Sequence, residues 1–281
     1  MQEIIGKTLT GERAAFSSHG VRFVRCVFDD GESPIKESSD IETIECSFRF
    51  RYPLWYSKNM MVKDCEFTAT ERAGIWYTEN MKVENSRIDG VKNFRKCKNI
   101  EIRDSSFSNA QETFWWCEGL TIENCKIDQG PYIFAGSKKI IVRNCIINGN
   151  YAFDGCEDVE IENCTIQTKD AFWNCKRVVV KNSAIYSQYI GWNSEDVTLI
   201  DCHVEANQGF CYMKRITLKN CELVNTDLCF EYCSDIDAEV TTVIDSVKNP
   251  ISGTIKTKGI KELILDEKAG IDPKKTTIIV S

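Results

Sequence analysis

Three acids, Glu112, Asp154 and Asp170, fall on one face of a repeating chain, Asp154 in a row with tryptophan and arginine, Glu112 and Asp170 in the row just upstream with tyrosine. Two carboxyl groups ~5–10 Å apart are what glycoside hydrolysis requires, one as proton donor and one as base or nucleophile. Asp154 and Asp170 stand one repeat apart and about three residues out of step, so strand geometry puts their Cα atoms ~11 Å apart, a gap that side chains could close. Arg95, in the row of Asp154, would be the electrostatic partner. Around these candidate catalytic residues lie Trp55, Trp76, Tyr77, Trp115, Trp173 and Trp192, with Asn174, Asn193, Arg72 and Glu231. Flat rings stack on the apolar faces of sugars, and amides, acids and arginine bond their hydroxyls. The expected ligand is therefore an oligosaccharide, bound or processed by a hydrolase or lyase. The same aromatic set also fits a ladder packed against itself, or a face covered by a protein partner or a second copy in a non-enzymatic scaffold. Exposed aromatic stripes mark contact surfaces in either case.

What positions these residues is a repeat. Eight-residue copies such as LTIENCKI (Leu120–Ile127) begin at Val21, Ile41, Met60, Met81, Ile100, Leu120, Ile140, Val159, Val178, Val197, Ile216 and Ile236. In each, the first, third, sixth and eighth residues are apolar or small, and an Asn or Asp stands between two in-out alternations. That reads as strand, bend, strand, because Asn and Asp tolerate the left-handed conformation of a tight bend. Before each copy stands a unit such as FWWC (Phe114–Cys117) or FWNC (Phe172–Cys175), with Phe and Cys inward. A fixed period near 20 with three short strands predicts stacked coils. The fold expected is all-β, a single-stranded right-handed parallel β-helix of about twelve coils. One domain spans 1–281, with residues 1–20 as N-terminal cap or incomplete coil, 21–243 as regular coils and 244–281 as coil remnants and C-terminal cap.

Charge checks the register independently. The residue two places before successive copies runs Lys58, Glu79, Lys98, Glu118, Lys138, Glu157, Lys176, Glu195, Lys214, alternating in sign. The fourth residue of each copy alternates likewise from Lys63 to Lys181. Parallel strands ~4.8 Å apart would turn both series into ladders of opposite charge.

Composition narrows the partners. A net charge of −7 without a basic tract argues against nucleic acid or an anionic membrane, and no apolar run approaches the ~18 residues of a membrane span. The start, MQEIIGKTLTGER, lacks a basic-then-apolar leader, so a cytoplasmic setting is expected. Fifteen cysteines fall mostly in two inward rows where Ser and Thr substitute, which reads as small buried filler beside a bend. No CxxC occurs and only His19 and His203 could complete a zinc set, so no metal and no cofactor is expected.

The segments GERAAF, FDDGESPIKES, YPLWYS, RAGIWY, KNFR, KDAFWNC, GWNS and SVKNPISGTI resemble an uncharacterised bacterial β-helix family, a domain of unknown function within the pectate-lyase-like superfold. The resemblance covers nearly the whole chain and implies the fold and a bacterial, cytosolic setting. It brings no established catalytic residues. The paired-Asp, Gly-His-Gly and Arg-Ile-Lys signatures of pectin-active glycosidases are missing, as is a calcium-binding Asp cluster with a lyase Arg.

Overall fold

A computed structural model describes residues 1–281. It is all-β apart from two single turns of 3-10 helix, Glu267–Ala269 and Pro273–Lys275. The chain folds as two compact units, Met1–Asn148 and Gly149–Ser281, and both are parallel β-helices.

In the first unit the main row is eight strands: Gln2–Ile5, Val21–Val24, Ser39–Ile44, Lys58–Lys63, Glu79–Glu84, Lys98–Arg103, Glu118–Glu123 and Lys138–Arg143, each paired in parallel with the next. A second row holds short strands such as Glu66–Phe67, Arg87–Ile88 and Ser106–Phe107. The third segment of each coil is thinner than three full strands per coil would give. It pairs through single bridges, Trp76 with Arg95 and Arg95 with Trp115.

In the second unit the main row is Glu157–Glu162, Lys176–Lys181, Glu195–Ile200, Lys214–Val224, Ile236–Val240, Gly253–Thr257 and Thr276–Val280. Fifteen rungs replace the twelve expected. The additional ones are Gln2–Ile5, Gly253–Thr257 and Thr276–Val280. They lack the full repeat signature for a physical reason. The first and last are mostly solvent-exposed, so nothing demands the in-out alternation that betrays the others.

Inward positions are buried as the alternation requires: Ile100, Ile102, Leu120 and Ile122 are essentially inaccessible. The bend residues Asp64, Asn85, Asp104 and Asn124 have φ of 53°, 46°, 51° and 54°. The other bend takes bulky residues into the same region, with Tyr77 at 58° and Trp116 at 54°. Such backbone costs ~1–2 kcal/mol per non-glycine residue, so the stacked rows must offset it. They do so in kind. Phe28, Phe48 and Phe67 stack at 4.8 and 4.5 Å, and Phe94, Phe114 and Phe134 at 5.0 Å. The charge register is as the alternation predicts, with Glu79 aligned to Lys58 and Lys98, and Glu123 to Arg103 and Arg143. Glu123 pairs with those arginines at 3.4 and 3.2 Å.

All fifteen cysteines are free and buried, and their interchange with serine has a more specific cause than size. The backbone N–H of Cys26 donates to Cys46 Sγ, that of Cys46 to Cys65 Sγ, and that of Cys65 to Ser86 Oγ. Each thiol or hydroxyl also donates to a carbonyl, Cys46 Sγ to Phe23 O at 3.4 Å. The row is a chain of side chains that satisfies the backbone N–H of the previous bend, which would otherwise be buried without a partner.

One buried acid lies outside every row. Glu71 is fully inaccessible; its Oε2 accepts from Asn93 Nδ2 at 3.1 Å and its Oε1 has no partner. Gly74 and Gly90 make room for it, since a Cβ at either would stand 1.5 or 2.0 Å from Glu71 atoms. Burial pushes its carboxyl up to about 8, with Asn93 opposing.

Two outcomes follow for this scaffold. Cys46→Ser should keep both hydrogen bonds and stay within ~1 kcal/mol of the native protein, whereas Cys46→Val strands the Cys26 N–H and should lose ~1–3 kcal/mol in urea unfolding. Because the Glu71 carboxyl is raised in the folded state, stability is full below the unfolded value near 4.5, falls with rising pH, and levels off above about 8. Glu71→Gln should flatten that fall, which amounts to at most roughly 5 kcal/mol. Denaturation at acid, neutral and mildly alkaline pH would show it, and an unchanged slope would refute it.

Candidate functional site

In the first unit Trp55, Trp76, Arg95 and Trp115 occupy one column of the third segment. Trp55 and Trp76 stack at 5.0 Å and 9°. Arg95 takes the next place as a planar cation, its guanidinium 5.2 Å from the Trp76 ring and 4.3 Å from that of Trp115. Glu112 pairs with Arg95 and, at 3.2 Å, with Lys92. Burial raises the Glu112 carboxyl, but the hydrogen bonds and charges of Arg95 and Lys92 outweigh it and hold it below the usual range. That makes Glu112 an anchor for Arg95 and a poor proton donor at neutral pH.

The indole N–H groups in this column are also used. Trp55 donates to Ala73 O, Trp76 to Lys92 O and Trp115 to Tyr132 O. Each acceptor lies three residues before the ladder position that faces the tryptophan in the following coil. In the adjoining column Tyr56 and Tyr77 stack at 4.7 Å, and the Lys96 ammonium lies 5.5 Å from Tyr77 and 5.8 Å from Trp116. Trp55, Trp76, Tyr56 and Tyr77 therefore spend ring faces on one another, while Tyr56 and Trp116 stay about half exposed. Arg72 is exposed beside them.

The second unit breaks this pattern. Asp154, Asn174 and Asn193 form a surface chain, with Asn174 Nδ2 donating to Asp154 at 2.9 Å and Asn193 Nδ2 to Asn174 at 3.1 Å. Trp173 is tilted 48° to Trp192 at 5.2 Å and edge-on to Tyr151. Its indole N–H is buried without an acceptor. The carbonyl corresponding to those used in the first unit belongs to Tyr189, and it receives the Ser187 hydroxyl at 2.8 Å instead. Asp170, aligned with Tyr189, is only 2 % exposed, and its Oδ1 has no partner. Burial raises its carboxyl, with the charge of Lys169 opposing.

Two rungs on from Asp170 stands Gln208, whose amide donates to Glu231 Oε2; Lys248 Nζ pairs with Glu231 Oε1 at 2.8 Å. Cys211, bridged to Glu231 in the ladder, is buried, and its thiol is pushed up to about 11 by burial first, then by Glu231 and Asp170. Both acids thus act on one thiol that is itself neutral. Trp192, 46 % exposed, stacks on Tyr212 at 5.6 Å, and Tyr212 on Tyr232 at 5.2 Å.

Of the residues singled out from sequence, the structure links Trp55 with Trp76, Arg95 with Glu112, Trp173 with Trp192, and Asp154 with Asn174 and Asn193. Asp154 and Asp170 share no hydrogen bond. Gln208, Cys211 and Lys248 were not anticipated. Gln208 was legible as the continuation of the Asp170 row; Lys248 lies where the repeat signature has already faded. Grooves of about 610 Å³ beside Asp64, Asn85 and Asp104 in the first unit, and about 510 Å³ beside Asn163, Asn182 and Asp201 in the second, belong to the Asn/Asp bends. No set of three or more His, Cys, Asp or Glu side chains is grouped to hold a metal ion, and no helix is long and apolar enough to cross a membrane.

Residues 2–279 match the family described as "Protein of unknown function (DUF3737)". The chain belongs to the DUF3737 family. No curated protein matches its sequence. Among solved structures, this DUF3737 chain is similar to PfbA, a surface adhesin of Streptococcus pneumoniae, at 10 % identity and a TM-score of 0.41, over 94 % of this chain and 84 % of that one. It is also similar to the Agl-KA catalytic domain, at 10 % identity and 0.36, over 99 % and 61 %. The A-module of the mannuronan C-5 epimerase AlgE4 of Azotobacter vinelandii gives 10 % and 0.27, over 99 % and 87 %. Likenesses this distant say nothing of activity.

The contrast between the two units is measurable. Trp76→Phe removes a bonded N–H and bares Lys92 O, so it should cost ~1–2 kcal/mol. Trp173→Phe deletes an unpartnered N–H and should cost clearly less in thermal unfolding. Equal losses would contradict the broken pattern at Trp173.

Proposed function

We propose that this protein is a carbohydrate-binding β-helix whose site is the face of the second unit running from Asp154 to Glu231. The observation that carries this reading is the pair of unpartnered buried atoms at Trp173 and Asp170, one a donor and one an acceptor. Native structures leave few such groups unmatched, and each has a cause in strain, function or a bound molecule; here a donor and an acceptor stand three residues apart on one segment. A sugar hydroxyl both donates and accepts, so neighbouring hydroxyls of one ring would serve both atoms. The exposed Trp192 offers a surface for the apolar side of that ring, and Asn174 and Asn193 offer amides at its edge. The matching residues of the first unit, with faces stacked and N–H groups bonded, serve as scaffold in this reading.

A second reading has its own observation. Tyr56, Trp116 and Tyr132 of the first unit are 43–53 % exposed, and Lys96 lies against Trp116. Aromatic and cationic side chains in this arrangement suit a protein partner or a second copy. We also propose a cytoplasmic setting, supported by the fifteen free thiols, which persist in a reducing compartment.

The test is intrinsic tryptophan fluorescence during titration with cello-, xylo-, laminari-, chito-, galacturono- and mannurono-oligosaccharides. At least one should give a saturable change that is lost in Trp192→Ala, weakened tenfold or more in Trp173→Phe, and kept in Trp76→Phe. A folded protein that responds to none of them would rule the reading out in favour of the protein-binding one.

A further inference from the structure

The repeat builds the same arrangement of ring and acid in both units, and in the first unit the chain completes it with a cation. There Arg95 and Trp115 are bridged neighbours in the ladder, and Glu112 stands three residues before Trp115. Arg95 lies between the rings of Trp76 and Trp115, and Glu112 is its counter-ion, with Lys92 at 3.2 Å as a second cation. In the second unit Ala152 and Ala171 are bridged, so Asp154, two residues on, faces Trp173. Asp170 stands three residues before Trp173. Ring and acid keep their places, but Asp154 holds the place of the arginine. Where the first unit sets a cation against an acid, the second sets two acids.

Nothing in the chain makes good the loss. Asp154 is turned to Asn174 at 2.9 Å. Lys169, next to Asp170 in sequence, lies over the Tyr151 ring at 5.9 Å. Asp170 is left 2 % exposed, with Oδ1 unpartnered. A buried carboxylate is costly unless a cation and hydrogen bonds replace its lost hydration, and Glu112 shows how this fold supplies them.

Resting on the carbohydrate reading above, we infer that the ligand brings the missing cation: an oligosaccharide of 2-amino-2-deoxyhexose units, whose ammonium pairs with Asp170 while Asp154 adds negative charge at the rim. An ammonium carries three donors and no acceptor, which suits an acid whose Oδ1 lacks a donor. The ring hydroxyl beside it accepts from the Trp173 N–H, the other unmatched group. Trp192, 46 % exposed, offers the next sugar both an apolar surface and a ring that attracts a cation. Uronic acids are rejected by the same groups. Their carboxylates would meet Asp154 and Asp170, and Lys248 is committed to Glu231 at 2.8 Å.

The experiment titrates the full chain with β-1,4-linked glucosamine oligosaccharides and with cello-oligosaccharides of the same length, following tryptophan fluorescence at mildly acid pH, where the amine is charged. The two series differ only in bearing an ammonium or a hydroxyl at C2. The amino series should bind about tenfold more tightly or better. That advantage should shrink in high salt and disappear when the amines are acetylated. Asp170→Asn should bring the amino series down to the affinity of the cello series and leave the latter within a few-fold of native. Asp154→Arg restores the pair of the first unit inside the chain, so it should raise the melting temperature and abolish the preference for the amine. Because that variant gains stability, its loss of preference is not a loss of fold. Cello- or galacturono-oligosaccharides that bind as tightly as the amino series overturn the inference and leave the carbohydrate reading standing; silence from every series removes both. A preference that persists in Asp170→Asn also overturns it, as does equal competition by an oligolysine of the same charge, which would make the ligand a basic peptide.

Discussion

Parallel coils stacked in register at ~4.8 Å turn every position of the repeat into a row, and each row must be compatible with itself. Most features of this protein answer to that constraint. A row of like charges would repel along its whole length, so lysine and glutamate alternate. A row of bends would bury unbonded N–H groups, so Cys and Ser accept from the bend of the coil before. A row of side chains above a left-handed bend is an amide ladder, as in Asp40, Asn59, Asn80 and Asn99, a charge ladder, as in Asp158 with Arg177 and Asp196 with Arg215, or a stack of rings. Each contact is worth little alone, and repetition makes the sum large enough to hold dozens of non-glycine residues at positive φ.

The same constraint explains why an aromatic stripe is ambiguous. Rings stacked along a row consume their own faces, and where the next coil offers a carbonyl at the right place they consume their N–H groups as well. The column from Trp55 to Trp115 is closed in this sense, and even its one cation is sandwiched between rings and neutralised by Glu112. At Trp173 the carbonyl that would close the row is taken by Ser187, and the ring tilts. What remains is an indole donor and an acid, both shielded from water and both unmatched. A binding site in a solenoid is best sought at such interruptions rather than along the most regular stretch.

Legibility followed the rows. Alternating Lys and Glu, inward Cys and Ser, and Asn or Asp at the bend each constrained the register from separate chemistry, and they agreed. Glu71 was invisible because it belongs to no row: only the pairing of Gly74 and Gly90 around its carboxylate reveals it. Lys248 was invisible because the repeat has lost its signature by that point, although the coils continue. The terminal rungs went uncounted since a strand with solvent on its outer side needs no alternation.

Composition and spacing alone determined the parallel β-helix, the bends and, through the twelve regular coils, which residues follow one another in the main row, because a period of two along the strand and about twenty along the chain leaves one consistent stacking. Which aromatic groups were already satisfied and which were not, and that Glu231 is held by Gln208 and Lys248 while Asp154 is held by Asn174, was decided only in three dimensions. Those facts depend on ring tilt, on which carbonyl a neighbouring hydroxyl reaches first, and on side chains leaning between columns, none of which periodicity encodes.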